Sequence, residues 1–243
     1  MSAKLGPLRP HEERLSYARH QPMEPPPGQP ALGDSFLVVT EGQVTERMYF
    51  ESIRRTLQIN AVTVCVLHPA CTDAVGLVQA AIRLRDAAPD RRNRCVAGNR
   101  EVSQYDHVWV LFDTDVPALH RQLGPALELA KNEHVHVAHS NPSVEFWLLL
   151  HFRFTTGPLL NSDAAENAGG EAWGQHYDKR EQTFPNLWPA LKPRIPAAVS
   201  RAEEVRQYHK NGRSPFPPNP STELDLLVRA LDASVQPPLR ILR

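Results

Sequence analysis

Asp106-His107-Val108-Trp109-Val110-Leu111-Phe112-Asp113-Thr114-Asp115 decides how the rest of the chain is read. Five apolar residues in succession, Val108 to Phe112, are too few for an ordinary helix and rich in strand formers. They predict a strand buried on both faces, as in a parallel sheet. Its carboxyl end delivers Asp113 and Asp115, and in an open α/β sheet that end faces the ligand crevice. Two carboxylates so placed repel each other by ~4 kcal/mol at about 4 Å and an effective dielectric near 20, so a positive partner is expected beside them.

Working outward, Phe36 to Thr40 is a short β-branched run ending in Glu41-Gly42, where glycine permits a tight turn. Thr45, Glu46, Tyr49, Phe50, Ile53 and Leu57 then open an amphipathic helix. Ala61 to Leu67 predicts a second strand, and Thr72 to about Ala87 a second helix capped by Thr72 or Asp73. On the other side of the central strand, Pro117 begins a helix to about Asn132 that Gly124-Pro125 is expected to kink or split. His134 to Ala138 alternates histidine with valine and reads as an edge strand. His134 and His136 are there either metal ligands or ordinary edge residues. Ser143 caps a helix from Val144 to about Phe152 that is apolar nearly all round and therefore buried. Glu145, in its first turn, is either a functional acid or a charge favoured by the helix dipole.

Four strands alternating with helices predict a doubly wound, mostly parallel four-stranded α/β sheet. Glu41, Asp113, Asp115 and Glu145 then converge along one edge. Three parts are expected: a flexible arm over residues 1–34 with seven prolines, the sheet domain over 35–155, and a loop and α-helical extension packed on it over 156–243. Within that extension, Thr155 to about Gln175 reads as a mobile loop of small polar residues. A helix from about Ala197 to Lys210 is stopped by Asn211-Gly212, and a last one runs from about Ser221 to Asp232. Lys179 either reaches the crevice or is a surface lysine.

The 27 basic and 27 acidic residues give a formal net charge of zero, so the chain as a whole is not a polycation that coats nucleic acid. A local patch is the alternative. The stretch from Arg83 to Arg100 carries six arginines and reads either as a solvated loop or as a phosphate-gripping lobe, with Arg91, Arg92 and Arg94 as its contacts. Three cysteines lack the paired spacing of a zinc site or disulfide framework. No signal peptide begins the chain and no apolar run nears the ~20 residues of a membrane helix, which predicts a cytoplasmic protein.

Carboxylates at strand ends, without a cysteine or histidine cluster, favour magnesium or manganese. Such an ion polarises a phosphate and generates hydroxide for in-line attack. The apolar strand ending in aspartate is also Walker-B-like, yet no phosphate-binding loop signature occurs. Phe112-Asp113-Thr114-Asp115-Val116 further looks like the first motif of haloacid-dehalogenase-type phosphatases, with Ser140 as a conceivable second. A non-catalytic partner-binding module is the remaining class.

Three blocks then resemble the RloB family: Phe36 to Phe50 (FLVVTEGQVTERMYF), Val108 to Asp115, and Ala138 to Phe152 (AHSNPSVEFWLLLHF). Tyr177-Asp178-Lys179 and Asn219-Pro220-Ser221-Thr222 extend the likeness over nearly everything after residue 34. The resemblance implies a Toprim-like domain in a nuclease of bacterial anti-phage defence, often encoded beside an ATPase partner. It implies acid-base chemistry or metal binding at Glu41, magnesium at Asp113 and Asp115, and a further Ser-x-Glu at Ser143-Val144-Glu145. Glu46 is expected to complete the metal shell, and Lys179 to join the arginines on nucleic acid. The chain departs from the family pattern at Thr114 and Val116, which leaves one-metal and two-metal chemistry both open. Whether RNA or DNA is cut, and whether the chain self-associates, is likewise open.

Overall fold

The computed structural model describes residues 34–59, 64–67, 73–87, 105–114, 117–173 and 179–242. The arm over 1–33, Arg91, Arg92, Arg94, Asp115, Tyr177 and Asp178 lie outside the described residues.

The sheet is built from β1 (Phe36–Thr40), β2 (Val64–Leu67), β3 (His107–Asp113), β4 (His136–Asn141) and β5 (Ser221–Thr222), in the order β2-β1-β3-β4-β5. Phe36 pairs with Val64 and with His107, and Trp109 with His136, all in parallel. β5 is antiparallel, with Ser140 opposite Thr222 and Asn141 opposite Ser221. The sheet is therefore the expected mostly parallel one with a two-residue edge strand added. That strand takes Ser221 and Thr222 out of the last helix, which spans Leu224–Ala233.

Helices cover both faces. α1 (Thr45–Thr56) buries Tyr49, Phe50 and Ile53 against Val38, Trp109 and Leu111 on one face. Joining them are α4 (Val144–Leu150), α6 (Phe184–Leu191), α7 (Ile195–Gly212) and α8 (Leu224–Ala233). On the other face, α2 (Ala74–Asp86) and α3 (Pro117–Asn132) pack on Leu37, Val39, Val110 and Phe112. Alternate residues of β1 and β3 thus feed two separate cores, the physical reason both strands are apolar throughout. Every residue of α4 is buried, Trp147 and Phe146 completely, so this seven-residue helix acts as a central wedge. Each such side chain contributes roughly 1.5–3 kcal/mol by leaving water.

Several details differ from the sequence reading. α3 runs as one helix through Pro125 rather than splitting there. β4 begins at His136 and continues to Asn141, because β5 supplies partners for polar Ser140 and Asn141. His134 falls outside the strand with a left-handed φ of 55°, so it does not share a face with His136. The stretch read as a loop contains a helix, α5 (Ser162–Trp173), seated on α4. Its small residues allow close approach, and Ala165 is wholly buried. α7 extends past Lys210 to Gly212 and turns off at Arg213, φ 52°. Among the described residues no helix is long and apolar enough to cross a membrane.

Candidate active-site cleft

Parallel pairing carries Glu41 and Asp113 to the same edge. The Glu41 amide donates to the Leu111 carbonyl at 2.9 Å, continuing the ladder one residue beyond β1. The Asp113 amide in turn donates to Glu41 Oε2 at 3.0 Å. Asp113 Oδ1 accepts from the backbone N–H of Val144 at 3.0 Å, so the strand-end carboxylate also satisfies an orphan donor at the start of α4. Thr114 is turned inward and wholly buried, its amide and hydroxyl both donating to the Ser140 carbonyl at 2.8 and 3.0 Å. A buried hydroxyl of that size fits this strand end, where a long basic side chain would meet the interior.

Two further acids come from helices. Glu145 is 2% exposed, and its Oε2 accepts from Ser143 Oγ at 2.6 Å. Ser143 stands at the cap position of α4, but its hydroxyl serves Glu145 rather than the backbone. Glu46, 4% exposed in the first turn of α1, accepts from the Gly42 amide at 3.1 Å. A Cβ at position 42 would lie 2.0 Å from Glu46 Oε2, so a larger residue there would displace the Glu46 carboxylate from the Gly42 amide.

These acids line one open cleft of about 370 Å3: Glu41, Glu46, Asp113 and Glu145, with Ser162 and Lys179 on its far wall. Burial, with the charges of Glu145 and Glu41 adding to it, pushes the Glu46 carboxyl up to about 7 against the pull of its backbone hydrogen bonds. Lys179 reaches the cleft from a left-handed backbone position, φ 56°. Its Nζ lies 3.4 Å from Glu145 Oε1 and 3.3 Å from Glu166 Oε2. Burial alone would lower the lysine, but Glu145 and Glu166 outweigh it and hold it above its ordinary value. Glu166 comes from α5, the segment taken for a loop, and the alanine- and glutamate-containing run Ser162–Trp173 was the helix signal that could have found it.

The donor chemistry of the cleft, carboxylate oxygens without sulfur or imidazole, fits a hard divalent cation. Among the described residues, no three His, Cys, Asp or Glu side chains gather as the ligands of one ion. Glu41 and Asp113 form the bonded pair at the centre, and Asp115, the third member of the sequence pattern, lies outside the described residues, as do Arg91, Arg92 and Arg94. Ser140, the conceivable second phosphatase motif, is wholly buried, bonded to Thr222 Oγ1 at 2.9 Å, and absent from the cleft lining.

Searches of curated proteins and of solved structures find no match to this chain. The family model described as RloB-like protein matches residues 36–231, from the first residue of β1 nearly to the end of α8. That span takes in every acid of the cleft, and the chain belongs to the RloB-like family.

Proposed function

We propose that this chain is a divalent-cation-dependent nuclease, hydrolysing phosphodiester bonds of RNA or DNA in bacterial anti-phage defence and acting with an ATPase partner. The observation that carries the reading is the cleft at the carboxyl edge of the parallel sheet. Four carboxylates line it, and burial, with the charges of Glu145 and Glu41 added, pushes Glu46 up to about 7. Gathering like charges at one cleft works against stability, which suits a binding role better than a structural one.

Glu41, Asp113 and Asp115 would hold magnesium or manganese, with Glu46 on the wall of the shell. The ion, when bound, polarises a phosphate and lowers the pKa of a bound water. Glu41 lies one hydrogen bond from the Asp113 backbone and accepts a proton there without leaving the cleft. Glu145 is fixed by Ser143 and holds Lys179, whose ammonium is aimed into the space a phosphate would enter. Arg91, Arg92 and Arg94 would grip the backbone beyond it. Incubating the full chain with total cellular RNA and with plasmid DNA, with and without manganese, tests the reading. Metal-dependent fragments from the parent and none from Asp113→Asn are expected. Equal cleavage by both would overturn it, and turnover of para-nitrophenyl phosphate without nucleic-acid cleavage would reassign the cleft to a phosphatase.

A further inference from the structure

A second pocket, of about 240 Å3, opens at the β4–β5 edge and is lined by His139, Arg206, Lys210, Phe216, Pro218 and Glu223. It shares no residue with the acidic cleft. His139 immediately precedes Ser140, the strand partner of Asp113, so the two sites sit at neighbouring strand ends.

Its chemistry is unlike that of the first. At the mouth, Phe216 leaves 64% of its surface in water, and its ring meets His139 edge-on with centroids 5.8 Å apart. An exposed phenylalanine ring beside a cation offers a stacking surface for a base. At the floor, His139 is 3% exposed. Its Nδ1 stands 2.9 Å from Glu223 Oε2, so the floor is a buried imidazole–carboxylate pair. Burial would raise the Glu223 carboxyl, but contact with His139 and the Arg206 charge hold it below the usual range, so the floor presents an acceptor.

On the wall, Arg206 and Lys210 are one helical turn apart on α7. Arg206 is bound to the Thr222 carbonyl at 2.8 Å and to Asp225, which makes it a fixed positive wall. Lys210 is exposed at the rim. His209 is occupied on both nitrogens, by Ser214 Oγ at 2.9 Å and the Pro220 carbonyl at 2.8 Å, and keeps the loop that carries Phe216 in place. The volume falls below the roughly 300–1,000 Å3 of drug-sized sites and suits one flat heterocycle.

We propose that this pocket takes one base of a single-stranded nucleic acid, stacked on Phe216, its polar edge on the Glu223 carboxylate, and its phosphate on Lys210. The proposal rests on reading the chain as a nuclease, for which the pocket would hold the strand beside the cleft. Sequence-tolerant stacking on an aromatic ring next to a cation is how single strands are gripped.

The test is fluorescence anisotropy with 5′-labelled, mixed-sequence eight-nucleotide RNA and DNA strands, on the full chain carrying Asp113→Asn so that nothing is cut. Adding Phe216→Ala is expected to weaken binding about 10-fold. Phe216→Trp should bind as well as Phe216 and show emission quenched on adding the strand. Phe216 is exposed, so both variants fold. Unchanged binding by Phe216→Ala, or no binding by any form, overturns the proposal. So does saturation by a mononucleotide with no gain from strand length, which would reassign the pocket to a free nucleotide. Cleavage by the parent with unchanged Phe216→Ala binding sinks the pocket and leaves the nuclease. Phe216-dependent binding without any cleavage does the reverse.

Discussion

Two regions bury a carboxylate, and they treat it in opposite ways. Asp225 on α8 is wholly buried, yet its charge is met by both terminal nitrogens of Arg206 and by Arg229 Nε at 3.6 Å. Glu46, nearly as buried, is pushed up to about 7 by that burial first and by the charges of Glu145 and Glu41 second. The first arrangement is a finished ion pair that fixes α7 to α8. The second is an unfinished one, with negative charge collected around an open cleft. Burial alone therefore says nothing about role; the sign of what surrounds the charge does.

The comparison breaks most visibly at Asp225. Asp225→Ala removes a wholly buried carboxylate from the half-buried Arg206, and should cost about 3 kcal/mol in urea unfolding. The variant's remaining folded fraction should still take up manganese normally. A loss under about 1 kcal/mol would mean the pair is not what holds the two helices.

Glu46→Gln sharpens the same contrast with the opposite sign. The folded pKa of about 7 lies above the ordinary value of 4.5, so the folded state binds the proton more tightly than the unfolded chain. The parent therefore loses stability as pH rises from about 4.5 through about 7, and the neutral amide escapes that loss. Unfolding curves should show the variant more stable than the parent by roughly 2–3 kcal/mol at about pH 8, and equal to it at about pH 4. A pH-independent difference would deny the raised Glu46 pKa.

The smallest effect is expected at Lys179. Lys179→Met removes the ammonium beside Glu145, and the cleft becomes more negative. Manganese affinity should tighten about fivefold, on the order of 1 kcal/mol. Weaker uptake would show that the lysine organises the acids rather than competing with the ion.

The central part of the fold was legible because its signals were local. Phe36–Val39 and Val108–Phe112 are unbroken apolar runs, each followed within two residues by an acid, and a parallel sheet admits little else. The meeting of Glu41 with Asp113 follows from two such strands lying side by side. What escaped depends on partners distant in sequence. His139 and Ser140 pair with Phe112 and Asp113, and Ser140 and Asn141 with Thr222 and Ser221, and no alternation within those segments announces it. Ser162–Trp173 buries small side chains against α4, so its helix carries a weak apolar face. Glu166 and the pocket around Phe216 sit on those two late-joining pieces, which is why neither was foreseen.

Calorimetric titration of manganese into the full chain tests the central claim most directly. The account predicts saturable uptake by the parent that Asp113→Asn loses while keeping its unfolding midpoint. No heat from the parent, or identical uptake by Asp113→Asn, would contradict it.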